Sequence, residues 1–220
     1  MTKVHPNVAA AAAVAASLAA AEAAEEKGEA MSLTVWRRSL LFNGKGFTVF
    51  DSKGNLVFRV ETYAGGSPRE VVLMDADGRA LLTIRRKKLS LADEWLIYDG
   101  DAAASSSAPT PAPKRFTARR NMSLLPTRSL ARLSPARASD GTVDAPRCRY
   151  DVEGSYASRS LDMFACTSSA SGGDQRRRVA TVCRKEAAVG PDVFRLVVEP
   201  GFEPALAMAV VILLDQMNAS

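Results

Sequence analysis

The run Ala205-Leu-Ala-Met-Ala-Val-Val-Ile-Leu-Leu214 is ten consecutive apolar residues, and it constrains the chain more than any other segment. A helix built from it presents apolar side chains in every direction, so no face can be left to water. A membrane span needs about 20 such residues, so the run predicts a helix inside a protein core. Pro204 suits a first helical turn and Glu203 the cap before it, which predicts a helix over Pro204–Met217. Its core-forming side chains are Leu206, Met208, Val210, Val211, Ile212, Leu213 and Leu214. Just upstream, Val193–Val198 places Phe194, Leu196 and Val198 on one face and reads as a strand. Most of the remaining chain also reads as short strands. One wholly apolar helix after an otherwise β-rich chain predicts a closed antiparallel barrel with the helix through its middle.

The strand signals are periodic and bounded by turn chemistry. Leu56, Phe58 and Val60 fall on one face, with Arg59 on the other. Val71–Met74, Ala80–Ile84, Trp95–Tyr98, Arg147–Val152, Leu161–Phe164 and Val179–Cys183 continue the scheme. Asp51-Ser-Lys-Gly54 and Asp75-Ala-Asp-Gly78 each offer an aspartate to open a tight turn and a glycine where φ is positive, so both predict hairpins. A calcium loop over Asp75–Gly78 fails on spacing, because Arg86 occupies the twelfth position, where an EF-hand has a bidentate glutamate.

Charge is distributed unevenly. Between Asp101 and Asp140 there is no acid, yet Lys114, Arg115, Arg119, Arg120, Arg128, Arg132 and Arg137 fall there. These seven exceed the chain's whole net charge of +5, so the basic character belongs to this one stretch. Its Ala, Ser and Pro content predicts a basic low-complexity insertion over 101–145, with one short strand at Arg115–Arg119. Residues 1–30, dominated by alanine and closed by Glu22, Glu25 and Glu26, predict a disordered leader.

Several chemistries are excluded by what is missing. The single histidine, His5, lies in the leader, which removes Ser-His-Asp and Cys-His catalysis from the barrel. Cys148, Cys166 and Cys183 form no C-x-x-C pair, and three thiols suit neither a disulfide scaffold nor a zinc site. They predict reduced, packed thiols in a cytoplasmic protein, with the nucleus or a membrane surface as further locations. No cofactor and no metal is expected.

The most concentrated functional candidate is Arg85-Arg86-Lys87-Lys88, a cationic run at a strand end that would hold an anionic, phosphate-rich headgroup such as a phosphoinositide. The alternative is a solvated strand end with Asp93 and Glu94 as counter-charges. Trp36, beside Arg37 and Arg38, reads as a core tryptophan next to outward arginines. Arg119-Arg-Asn-Met-Ser123 has the form of a basophilic kinase target, making Ser123 a candidate phosphosite.

Trp36-Arg-Arg-Ser-Leu, Gly46-Phe-Thr-Val-Phe-Asp51, Leu81-Leu-Thr-Ile-Arg-Arg-Lys-Lys-Leu-Ser90 with Trp95 behind it, and Val198-Glu-Pro-Gly-Phe202 occur in this order. The combination resembles the plant LURP-one-related family, which shares a superfamily with tubby C-terminal domains and phospholipid scramblases. The resemblance covers about residues 30–100 and 147–217. It implies one barrel domain over 31–217 with about twelve antiparallel strands around the C-terminal helix, the arrangement already suggested by the apolar run. It also implies a non-enzymatic, monomeric module associated with plant defence, with anionic membrane lipids as partners. A nucleic-acid-binding protein using the basic 114–137 segment is the second reading. Scramblase activity is not expected, because the chain lacks a Cys-rich stretch and an acidic calcium segment.

Overall fold

The computed structural model describes residues 28–37, 46–61, 70–87, 93–102, 112–121, 128–136, 148–168, 174–185, 190 and 192–218. Twelve strands are present among them: β1 (Met31–Arg37), β2 (Phe47–Phe50), β3 (Leu56–Glu61), β4 (Glu70–Asp75), β5 (Ala80–Arg86) and β6 (Glu94–Asp99), then β7 (Lys114–Arg120), β8 (Ser129–Pro135), β9 (Cys148–Ser155), β10 (Ser160–Ser168), β11 (Asp174–Arg184) and β12 (Val193–Val198). One helix is present among the described residues, α1 (Pro204–Asn218), after β12. Each strand pairs antiparallel with its chain neighbour, and β1 pairs with β12, so the sheet closes. The expected mainly-β barrel around a C-terminal helix is the fold found.

Strand number follows from what the barrel encloses. Eight strands leave room only for their own side chains, whereas a helix with side chains is about 10–12 Å across. Inward positions at Leu33, Val35, Val49, Leu82, Ile84, Ile97, Leu133, Val152 and Leu196 form one core with α1. Every residue from Ala205 to Leu214 is buried, including all seven core positions read from the sequence. Each large side chain there contributes on the order of 1.5–3 kcal/mol on burial, an upper figure for a compact unfolded state.

Turn chemistry fixes the register of the hairpins. Asp51 Oδ1 accepts from the backbone N–H groups of Lys53 and Asn55, both at 2.8 Å, and Gly54 takes φ 86°. Burial acts to raise the Asp51 carboxyl, but these bonds and the Asn55 amide hold it below the usual range. Asp75 repeats the device, accepting from Arg79 N at 2.8 Å with Gly78 at φ 88°. Both hairpins expected from D-x-x-G are present.

Two expectations are corrected. The stretch 101–145 is not simply an insertion, since it supplies two barrel strands, β7 and β8, paired with each other and with β6 and β9. Phe116 packs against the core while Ala118, Ala131 and Leu133 are buried in it, so the segment has the alternation of a strand beneath its Pro/Ser-rich flanks. Trp36 is not a core residue. It stands on the outer face of β1, 38% exposed, edge-to-face with Phe50 at 6.3 Å, because Leu33 and Val35 set the opposite parity for the inward side. The alanine-rich leader lies outside the described residues apart from 28–30.

Strand β7 also fastens the helix at both ends. Near the start of α1, Arg115 forms a two-pronged pair with Glu203, at 3.0 and 2.5 Å, and the Glu203 carbonyl accepts from Ala207 N at 3.1 Å. At the other end, Arg120 donates to the Met217 carbonyl at 3.0 Å. A carboxylate at a helix N-terminus and a guanidinium at its C-terminus both favour the macrodipole. Ile212→Ala should lower the free energy of unfolding by about 2–5 kcal/mol, measured by urea denaturation. A loss below about 1 kcal/mol would mean that the helix does not fill a close-packed barrel.

Candidate anion-binding groove

The cationic run read from the sequence is separated by strand geometry. Successive residues on a strand point to opposite faces. Arg85 lies outward, with its Nε 2.6 Å from Glu70 Oε2 and its guanidinium 5.6 Å from the Tyr98 ring centre. Arg86 shares the inward parity of Leu82 and Ile84; it lies over Trp95 at 6.0 Å and pairs with Asp93 at 3.0 Å. Lys87 pairs with Glu94 at 3.1 Å. Three members of the run therefore each have a carboxylate, and they do not converge. Lys88 and Ser123 lie outside the described residues.

The cations that do converge sit on β7 and β8. With Ala118 and Leu133 turned inward, Thr117, Arg119, Arg132 and Ser134 are turned outward. Register sets Arg119 directly opposite Arg132, and their side chains are 67% and 58% exposed. Like charges in directly opposed positions repel. Among the described residues, each has its carboxylate on the far side: Glu94 at 3.8 Å from Arg119, and Asp151 at 2.8 Å from Arg132. Both carboxylates are shared, Glu94 with Lys87 and Asp151 with Arg149 at 3.6 Å. Burial acts to raise the Asp151 carboxyl, but Arg132, the Cys166 thiol and Arg149 together keep it low. Arg119 and Arg132 line an open groove of about 780 Å³ with Lys114 and Arg120, and Thr117, Asn121, Ser129 and Ser134 contribute polar groups. Glu94 is the one acid among its described lining residues. Fixed cations and hydroxyls around a groove suit a phosphate-bearing anion.

The sequence contained these residues but gave no reason to join them. The available signal was the alternation in Phe116-Thr-Ala-Arg119 and Ala131-Arg-Leu-Ser134, short enough to be masked by the surrounding Pro and Ser.

A second polar cluster closes the barrel at the C-terminal end of α1. Asp215 accepts from Arg37 Nε at 2.7 Å and from the Tyr156 hydroxyl at 2.9 Å, while Arg37 also reaches Asp192 at 3.3 Å. A carboxylate in a last helical turn opposes the macrodipole, and the Arg37 pair offsets this. Arg159, at φ 51°, stacks its guanidinium 4.1 Å from the Tyr156 ring centre and 4.7 Å from that of Phe194. Burial, then the Asp215 charge, pushes the Tyr156 phenol far up. Burial and the neighbouring Asp151 likewise raise the Cys166 thiol, which favours the unreactive protonated form. The Tyr156 hydroxyl and the Cys166 thiol each donate to a carboxylate, Asp215 and Asp151, and both are shifted toward the protonated form.

A closed twelve-stranded barrel wound around an apolar helix, with a cationic groove on its outer wall, defines the class of protein. A solved X-ray structure of an Arabidopsis thaliana protein shares this fold, with a TM-score of 0.58 and 21% identity over 87% of this chain and 93% of that one. The LURP-one-related family model matches residues 31–215. Protein LURP-one-related 8 of Arabidopsis thaliana is 41% identical over the full length of both chains. LURP-one-related 17 and LURP-one-related 5 of the same plant are 40% and 42% identical, each over 86% of this chain and 84% of its own length. The chain belongs to the LURP-one-related family. Among its described residues no helix is long and apolar enough to cross a membrane.

Buried Tyr156 and half-buried Tyr150 set an alkaline limit. Burial, then Cys148, pushes Tyr150 up to about 12, and Tyr156 moves in the same direction. Both folded values lie above the unfolded value near 10, so their contribution is complete below about pH 10 and is lost as pH rises through the folded values. Denaturant unfolding measured from about pH 8 to 12 should show stability falling above about pH 10, with a shallower fall in Tyr150→Phe. An unchanged slope in that variant would rule Tyr150 out as a source.

Proposed function

We propose that this barrel acts without catalysis, holding phosphate-rich anions of a membrane surface, phosphoinositide headgroups foremost, in the β7–β8 groove. The observation that carries this reading is Arg119 facing Arg132 across the ladder, with no carboxylate of the described residues between them. An anion placed there relieves the repulsion and meets two guanidinium forks, the side-chain shape best suited to phosphate. Both arginines are rooted on paired strands, so less conformational freedom is lost on docking than from a free loop. Docking on the cytoplasmic leaflet suits a signalling module, in keeping with the defence role suggested by the family. The phosphates of a nucleic acid would use the same chemistry, and the acid-free composition of 102–139 favours that second reading.

The test is flotation with phosphatidylcholine vesicles, with and without phosphatidylinositol bisphosphate, beside a duplex DNA titration. Arg119→Gln/Arg132→Gln should bind the doped vesicles about thirtyfold more weakly, from roughly 1 kcal/mol per cation near an anionic surface. Circular dichroism should show the barrel intact. Changing Arg85, Arg86, Lys87 and Lys88 to Gln should weaken binding less, since Arg85 and Arg86 point to opposite faces of the sheet and do not converge as Arg119 and Arg132 do. Vesicle binding should fall steeply with salt as the screening length shortens from about 10 Å at 0.1 M to about 3 Å at 1 M. Parental binding by the double variant would overturn the groove, and tight DNA binding without vesicle binding would favour the second reading.

A further inference from the structure

Ser134 stands two residues beyond Arg132 on the outer face of β8, opposite Thr117 and diagonal to Arg119. It is exposed and lines the groove with Lys114, Arg119 and Arg132. Diagonal neighbours on a sheet face lie about 7–8 Å apart, within reach of an arginine and a phosphorylated serine. Ser134 also lies at the end of its strand that is paired on the β7 side and not on the β9 side. Register with β9 ends at Leu133↔Tyr150, one residue short of Ser134, and Pro135 has no N–H to give to a ladder. Ala136 N then donates to the Arg115 carbonyl at 2.8 Å. In sequence, Ser134-Pro-Ala-Arg137 puts proline directly after the hydroxyl and a cation at the third place, the pattern read by proline-directed protein kinases. The other Ser-Pro and Thr-Pro pairs, at Ser67 and Thr110, have Glu70 and Pro113 at that place.

We propose that Ser134 is a phosphorylation site whose phosphate settles between Arg119 and Arg132 and closes the groove to outside anions. This rests on the groove reading above and adds its regulation. The γ-phosphoryl group passes from ATP to Ser134 Oγ. The new Oγ–P bond forms as the bond to the β-phosphate oxygen breaks, ADP leaves, and the hydroxyl proton goes to the kinase's base. The product carries a charge of about −1.5 to −2 at pH 7, which matches the two opposed guanidiniums. A dianion held by them blocks the headgroup by occupancy and by repulsion.

The experiment treats the full chain with a proline-directed kinase and ATP, maps the phosphate by peptide mass spectrometry, and titrates it by phosphorus NMR. Phosphate should appear on Ser134 and be absent from Ser134→Ala. Its second ionisation should fall below that of a phosphopeptide of the same residues, and the difference should disappear in Arg119→Gln/Arg132→Gln. Phosphorylated protein should bind vesicles containing phosphatidylinositol bisphosphate about thirtyfold more weakly than the unmodified chain, two charges being offset. Failure to modify Ser134, when the same kinase modifies the matching peptide, would overturn the proposal. So would a phosphate ionising as it does in the peptide. Should the unmodified chain never bind vesicles, the headgroup reading fails while the ionisation shift still decides whether the phosphate occupies the groove. Binding that survives phosphorylation overturns the regulation and leaves the headgroup reading standing.

Discussion

Everything in this molecule depends on a helix with no polar face. Because Ala205 to Leu214 are apolar all round, α1 must be surrounded, and one sheet can surround a helix only by closing on itself. Closure in turn removes the exposed edges that twelve short strands would otherwise present to one another. The β1–β12 pairing that completes the ring uses six register positions, Met31↔Val198 to Trp36↔Val193. These run along the side chains of Leu33, Val35, Phe194 and Leu196, which lie against the helix. Helix burial and sheet closure are therefore one requirement met by the same residues.

The ends of the helix explain where the polar residues had to go. A helix inside a barrel leaves backbone groups without helical partners at each end, and the chain places polar side chains at both mouths, of which Arg120 and Asn218 reach carbonyls of the last turn. Arg115 and Glu203 serve one mouth; Arg120, Arg37, Asp215 and Tyr156 serve the other. Two of these residues, Arg115 and Arg120, belong to the strand whose outer side carries Arg119. The groove is thus built on a strand tied to both ends of the helix.

The legible parts of the sequence were those with strong periodicity. The helix, its seven core side chains and the hairpins at Asp51 and Asp75 could be read directly, because ten apolar residues in a row and D-x-x-G each admit few conformations. Strands β7 and β8 were obscured because Ala118 and Ala131 are small inward residues. Alanine carries little of the apolar signal by which strands are recognised, though both are fully buried in the core. The candidate site was obscured for a different reason. Arg85, Arg86 and Lys87 are adjacent in sequence and are divided by the pleat, whereas Arg119 and Arg132 are 13 residues apart and are joined by register. Sequence proximity favours the first group, and strand pairing produces the second. Trp36 was misplaced by its residue type, since tryptophan is more often inside than out, and only the parity set by Leu33 and Val35 turns it to solvent.

The pairing of the first strand with the twelfth has a consequence for how the chain is made. During synthesis β1 emerges before any other strand, but its second partner and the helix that fills the barrel follow all the rest. Until then the growing sheet has two open edges and an unfilled apolar concavity. Unpaired strand edges and exposed apolar surface favour aggregation, and only β12 and α1 together remove both.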